Sequence, residues 1–326
     1  MQIEYNVFSY RNDDKIACAG FCTGRIFASL PHKIVEWSRT ERAVACVHEI
    51  SEEVVGMASM SDGCIALLSK SSVWLLLGSE IRYVMEKPPL CGVVVYRERL
   101  LLIDEQSITS MCVQERSTKI SRAKMRNRSG MCTCGAESEN GLLLAFENGD
   151  VVEISAQAMA DILDGRAAEV DTECLRTMIR LREPVISVGV LNHLLVVALF
   201  NRKMLTINLK SGEVSYTELA YEVKFSALWN GMIVVSDSRE NIILMDEHLK
   251  IAYSKRMRDE VCSLVSSGTD LIVGFSTGTV KECRLSRFDC TSIPADTGIQ
   301  RISANAGIQA EADGCLRMLC SAIKYL

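Results

Sequence analysis

Four histidines, His32, His48, His193 and His248, are the side chains best suited to proton transfer or metal binding in this chain. None has a second histidine or a carboxylate at the spacing of a ligand pair. His193 falls at a turn between two apolar runs, which points to a structural role. The acidic pairs Asp13-Asp14, Glu52-Glu53 and Asp259-Glu260 lie between apolar runs and read as solvated turn residues. No phosphate-binding loop, GxSxG elbow, HExxH or dinucleotide fingerprint occurs. The expectation is a chain with no catalytic residue, no metal ligand and no cofactor.

Fourteen cysteines could suggest disulfides or zinc, but no CxxC pair is present and the closest spacing is Cys132-Thr133-Cys134. Cys18, Cys64, Cys112, Cys262, Cys283 and Cys320 sit inside apolar, strand-like runs. In a reducing compartment such residues behave as small hydrophobes. Reduced, metal-free thiols are therefore expected.

One charged segment stands out. From Arg116 to Ala136 there is no acidic residue, while Arg116, Lys119, Arg122, Lys124, Arg126 and Arg128 cluster. In KISRAKMRNR, Arg122, Lys124, Arg126 and Arg128 share one parity, and Ser121, Ala123 and Met125 take the other. Alternate residues of a strand face opposite ways, so this reads as a basic row on one side of a strand. Such a row suits an acidic protein surface or a phosphate backbone. It equally suits an edge strand guarded by charge against aggregation.

The elements that carry these residues follow from a repeat. An apolar strand, a short polar or glycine-containing turn and a second alternating strand recur eight times. The copies are IACAGFCTGRIFASL, CIALLSKSSVWLLLG, LLLIDEQSITSMCV, LLLAFENGDVVEIS, LLVVALFNRKMLTINL, MIVVSDSRENIILMD, LIVGFSTGTVKECRL and IQAEADGCLRMLC. Their turns align Gly24, Ser71, Gln106, Gly149, Arg202, Glu240, Gly278 and Gly314, at a mean interval of about 41 residues, the period of propeller blades. A third apolar strand precedes each hairpin and a more polar one follows, giving four strands per unit. The longest interval holds Ala156 to Met178, in which Ala158, Ala160, Ile162 and Leu163 approach helical spacing and Asp164-Gly165 reads as a stop; a long loop is the equal alternative.

The expected fold is all-β: a single closed β-propeller of four antiparallel strands per blade, spanning 1–326. Blades are expected near 1–50, 51–88, 89–129, 130–183, 184–221, 222–258, 259–297 and 298–326. Eight blades are favoured. Seven is the alternative, with residues 1–50 supplying closing strands and an extension. In the eight-bladed reading the last unit has strands near Ile299–Ser303, Ala306–Ala310 and Cys315–Cys320, and Gln2–Phe8 pairs beside them to close the ring.

LIVGFSTGTVKECRLS and AEADGCLRMLC resemble WD40-repeat proteins in their small apolar residues, polar-Gly turn and alternating strand. Within that family, DEVCSL…LIVGFSTGTV and DGCLRML look like the last blades of nucleolar ribosome-assembly WD-repeat proteins. The chain departs from the family pattern: no Gly-His dipeptide opens a blade, no Trp-Asp ends one, and Asp246 is the nearest approach. The family's polar network is then expected to be absent, and blade stability to rest mainly on apolar packing.

With a net charge of -5 and a pI near 5.6, wholesale nucleic-acid binding is not expected. MQIEYNVFSYRNDD lacks a basic start and an apolar core, and the longest apolar run, Val185 to Phe200, is interrupted by Ser187, Asn192 and His193. A soluble cytoplasmic or nuclear protein without membrane contact is expected. Its expected role is a non-enzymatic scaffold, one rigid subunit of a multi-protein complex. The alternative is an RNA- or ribosome-associated assembly factor that uses the Arg116–Arg128 row.

Overall fold

The structure, a computed structural model, describes residues 3–287 apart from 13, 23, 62, 89–91, 115–116, 126–129, 171–173 and 268–269. It begins with β1 (Ile3–Arg11). The first four-stranded unit is β2 (Ala19–Cys22), β3 (Arg25–Leu30), β4 (Lys33–Ser38) and β5 (Ala43–Glu49). The second is β6 (Val54–Ser61), β7 (Cys64–Ser69), β8 (Ser72–Leu77) and β9 (Glu80–Glu86). The third is β10 (Gly92–Tyr96), β11 (Arg99–Ile103), β12 (Ser107–Gln114) and β13 (Ser117–Met125). In the fourth, β14 (Cys132–Ser138), β15 (Gly141–Phe146) and β16 (Asp150–Ser155) lead into helix α1 (Ala156–Asp164). A short β17 (Glu169–Val170) then joins the third sheet, and β18 (Leu175–Arg180) completes the fourth.

The fifth unit is β19 (Val185–Leu191), β20 (Leu194–Leu199), β21 (Lys203–Asn208) and β22 (Val214–Glu218). The sixth is β23 (Val223–Trp229), β24 (Met232–Asp237), β25 (Asn241–Met245) and β26 (Ile251–Arg256). The last contributes β27 (Val261–Ser267), β28 (Asp270–Phe275) and β29 (Thr279–Arg287), and β1 supplies its fourth strand, antiparallel to β29 from Ile3↔Arg287 to Arg11↔Thr279. The result is a β-propeller of seven blades.

Why the inner strands are apolar on both sides is plain from the packing. Among the described residues the buried side chains divide into seven clusters, one in each seam between neighbouring blades. Leu100 and Leu102 of β11 face the second blade, whereas Leu101 and Ile103 face the fourth. A two-residue period thus feeds two different cores, and each face is covered. Innermost strands crowd near the axis. A Cβ on Gly92 would lie 2.7 Å from the Cys132 carbonyl oxygen, and one on Gly135 would lie 2.7 Å from Val94 Cγ2.

Blades meet by packing, not by a shared ladder, and β2 packs against β27 and β28 to bring the ring round. Inside each blade one hydrogen bond recurs. The carbonyl at the tip of the second hairpin accepts an amide from the end of the fourth strand, at 2.7–3.0 Å: His32 from Ile50, Ser71 from Lys87, Gln106 from Met125, Gly149 from Leu181, Arg202 from Leu219 and Glu240 from Met257. In the seventh blade Gly278 accepts it from Asn12 at 2.9 Å, so the N-terminal segment occupies the position that follows Gly278 in the repeat.

This pattern corrects two expectations. Gly24 lies in the first hairpin of its blade, between β2 and β3, and the equivalent tip is His32, in the left-handed region at φ 58°. A histidine there hides a turn that glycine would advertise. With His32 in register, the interval to Ser71 shortens from 47 residues to 39. Eight blades are replaced by seven, because β1 completes the sheet of β27–β29 and leaves no place in the ring for another unit. The eighth copy, IQAEADGCLRMLC, lies outside the described residues. The N-terminal segment does join the last sheet, but beside β29.

Of the two readings of Ala156 to Met178, the helical one holds over Ala156–Asp164, whereas Leu175–Arg180 is a strand. Ser155 caps α1 through its hydroxyl, which accepts from the Ala158 amide at 3.3 Å. Gly165 ends the helix at φ 72°, with Gly165 N–H to the Ile162 carbonyl at 3.1 Å and Arg166 N–H to that of Asp161 at 2.8 Å, a Schellman closure. Met159, Ile162 and Leu163 bury against the third and fourth blades.

Deleting residues 1–11 removes the fourth strand of the seventh blade and bares the edge of β29. The truncated protein is expected to aggregate or to melt far below the full chain in size-exclusion and thermal-unfolding measurements; equal melting would refute this account of closure.

Candidate functional site

The basic row lands on β13, the fourth strand of the third blade. Lys119, Arg122 and Lys124 are exposed. Arg122 and Lys124 share one face, while Ala123 and Met125 point into the core beneath α1. Ser121 donates its hydroxyl to the Ile162 carbonyl at 3.0 Å. Arg116, Arg126 and Arg128 lie outside the described residues. Arg122 braces its own blade: Nε donates to Ser107 Oγ at 3.0 Å, and Nη2 lies 3.5 Å from Asp104 Oδ2. Asp104 already caps the turn by accepting the Gln106 and Ser107 amides at 2.8 and 2.6 Å. The edge beside Lys124 is not bare, because Glu169 of β17 pairs with it in parallel.

Three charged constellations escape sequence inspection because they join distant segments. At the seam between the seventh and first blades, Glu282 of β29 is fully buried and accepts from Tyr10 Oη at 3.0 Å and from Arg39 Nε at 2.8 Å. Arg39 Nη2 also pairs with Glu282 and lies 2.8 Å from Asp270 Oδ1. Burial opposes the guanidinium charge, but the two carboxylates outweigh it and hold the Arg39 pKa above its ordinary value. In the first blade, buried His48 places Nε2 3.0 Å from Glu36 Oε2, and Arg25 takes Oε1 at 2.8 Å. The sequence reading gave His48 no carboxylate; adjacent strands β4 and β5 supply one twelve residues away. Cys46 Sγ lies 3.9 Å from His48 Nδ1. Lys224 bridges Glu240 and Glu260 at 3.3 and 3.2 Å.

These side chains hold strands and blades together, and each carboxylate named is engaged by a neighbouring cation. The expectation that stability rests mainly on apolar packing stands, with a polar addition that the sequence did not show. Packing dominates, but buried ionic junctions pin specific seams.

Of the ten described thiols, Cys18, Cys22, Cys64, Cys132 and Cys283 are buried as the hydrophobic reading expects, and the other five, Cys112 and Cys262 among them, are half-buried. Burial pushes Cys18, Cys134 and Cys283 up to about 12, and Cys64 and Cys262 up to about 11. Cys320 lies outside the described residues.

With the geometry in place, known proteins can be compared. No family model matches the chain, and no curated protein matches it in sequence. Solved structures do match. Virginiamycin B lyase from Staphylococcus aureus aligns over 87% of this chain and 100% of its own at a TM-score of 0.66 and 10% identity. Raptor from Chaetomium thermophilum aligns over 87% of this chain and 29% of its own, at 0.68 and 10%. The BBS1N chain solved in complex with ARL6DN aligns over 86% and 96%, at 0.62 and 13%. The fold is shared with all three. At such identities nothing else transfers, and one of the three is an enzyme.

Arg39→Ala leaves Glu282 buried without its cation and is expected to cost about 3–5 kcal/mol in urea unfolding; a loss below about 1 kcal/mol would show the junction to be screened. In the native protein Cys18 and Cys283 are expected to resist iodoacetamide at pH 8, where each is about a thousandfold less ionised than a free thiol. Their early labelling by peptide mass spectrometry would contradict the burial.

Proposed function

We propose that this chain is a non-enzymatic interaction platform, a rigid propeller subunit of a larger protein complex, of WD40 type. The observation that carries this reading is the distribution of exposed apolar side chains. Ten large hydrophobics are exposed among the described residues, and seven of them, Val44, Val47, Tyr83, Ile120, Val214, Tyr216 and Ile251, stand on fourth strands at the rim. On β22, Val214 and Tyr216 share one face and are 49% and 74% exposed. β22 pairs only with β21 in its sheet, so its other edge carries free backbone donors and acceptors. An apolar partner face or an added strand can use both features. The titratable clusters are consumed as braces, which supports a binding role over chemistry. The left-handed Gly278 turn between β28 and β29 supports the WD40 likeness of LIVGFSTGTVKECRL. Free thiols at ten described positions fit a reducing cytoplasm or nucleus.

A protein is the partner class favoured, because Arg122 of the basic row is engaged by Asp104 and Ser107 whereas Val214 and Tyr216 stand exposed on an open edge. The double variant Val214→Asp/Tyr216→Asp is expected to lose co-purifying proteins that wild type retains at physiological salt, while Arg122→Gln/Lys124→Gln keeps them. The opposite outcome, with RNA recovered in a strongly salt-sensitive manner, would replace this reading by the RNA-associated one.

A further inference from the structure

The brace on His48 decides which of its ring nitrogens can take a proton. Nε2 lies 3.0 Å from Glu36 Oε2, and Arg25 occupies Oε1 of the same carboxylate at 2.8 Å. A carboxylate only accepts hydrogen bonds, so the neutral imidazole carries its proton on Nε2 and presents the lone pair of Nδ1. Cys46 Sγ stands 3.9 Å from that nitrogen. Thiol, base and orienting carboxylate therefore form one chain of contacts, the arrangement that activates a nucleophile. Strand register builds it. Cys46 lies opposite Glu36 of β4, and His48, two residues on, shares its face of β5. In its sheet β5 pairs only with β4, and Cys46 is half-buried at this open edge between exposed Ala45 and Val47.

We propose that Cys46 is a nucleophilic thiol that exchanges with low-molecular-weight disulfides, with His48 as its base. The Cys46 S–H bond breaks and the proton passes to His48 Nδ1. The thiolate attacks one sulfur of the disulfide, whose S–S bond breaks as a new S–S bond joins that half to Cys46. The other half leaves as a thiolate and takes the proton from His48. The Cys46 sulfur is oxidised and the departing sulfur reduced, so a thiol and a disulfide give a mixed disulfide and a thiol. Exchange suits this site better than addition to a carbon electrophile, because the departing thiolate uses the proton that His48 holds. Half-burial of Cys46 restricts the reagent to a small one. The adduct stays on the chain, so this is a modification site at the rim and not a turnover. It needs no partner and stands apart from the platform reading and its test.

Cys112 supplies an internal comparison. It is half-buried as well, and its Sγ lies 3.8 Å from the Val113 carbonyl oxygen, as that of Cys46 lies 3.9 Å from the Val47 carbonyl oxygen. Among the described residues no imidazole stands within hydrogen-bonding reach of Cys112. The full chain is incubated with hydroxyethyl disulfide, and the adduct at each thiol is followed by peptide mass spectrometry. Cys46 is expected to form the mixed disulfide at least about tenfold faster than Cys112, while buried Cys18 and Cys283 stay unmodified. His48→Gln keeps an amide N–H for Glu36 but lacks the accepting nitrogen, and should slow Cys46 to within about twofold of Cys112. Protection of Cys18 and Cys283 in that variant shows that the fold is kept. Equal rates at Cys46 and Cys112 in the wild-type protein would overturn the proposal without recourse to any variant. So would a folded His48→Gln protein whose Cys46 reacts as fast as that of wild type.

Discussion

A propeller blade is stable only between two others, and this constraint governs the rest of the molecule. Each sheet is apolar on both faces, so a blade with one neighbour would leave a face as large as a core surface in water. The ring has to come round on itself, and the seam between the seventh and first blades closes it. There, β1 lies beside β29 and Asn12 completes the tip hydrogen bond on Gly278. Tyr10 and Arg39 converge on Glu282 in the same seam. Bringing together segments some 270 residues apart costs little more than a shorter closure, because loop entropy grows only logarithmically.

That seam is also where an ion pair does what packing alone does not. Apolar cores are tolerant of register, and alternate residues of neighbouring strands present much the same leucine and valine surfaces. A buried carboxylate is not tolerant: unless Arg39 reaches it, Glu282 carries an uncompensated charge in the core. The junction therefore favours one register of β29 against the first blade. Tyr10 adds a contact from β1, so strand, blade and closing segment share one group. The Glu36, His48 and Arg25 set does the same within the first blade, fixing β5 on β4 where many exposed positions give the strand little apolar grip.

The two-residue alternation of the strands was readable in the sequence because burial on two faces writes itself into every inner strand. The helix after β16 was readable in part, since Asp164-Gly165 is a local stop that acts within one turn, while its cap at Ser155 shows only in the structure. Register was less so. The TG turn of FCTGR drew the first blade out of alignment, while the true tip at His32 adopts a left-handed conformation without a glycine to show it. The extra copy near the C-terminus matched the repeat pattern as well as its neighbours did, and only the pairing of β1 with β29 decides that the ring has seven blades. No sequence rule brings Arg39 to Glu282 or His48 to Glu36, since cross-strand and cross-blade contacts depend on register and closure first.

The basic row illustrates the same limit. Arg122 and Lys124 are close in sequence and alternate, which is all that a sequence can show of them. In the fold, one braces Asp104 and the other lies beside an edge that Glu169 of β17 covers. Spacing along the chain says how many charges share a face of a strand, but not where the matching acids go. That depends on which turn and which strand the fold sets beside the row, as the Asp104 turn before β12 and the β17 segment beside β13 show. A run of like charges is therefore a statement about one strand, and whether it braces the sheet or faces a partner is decided by its neighbours.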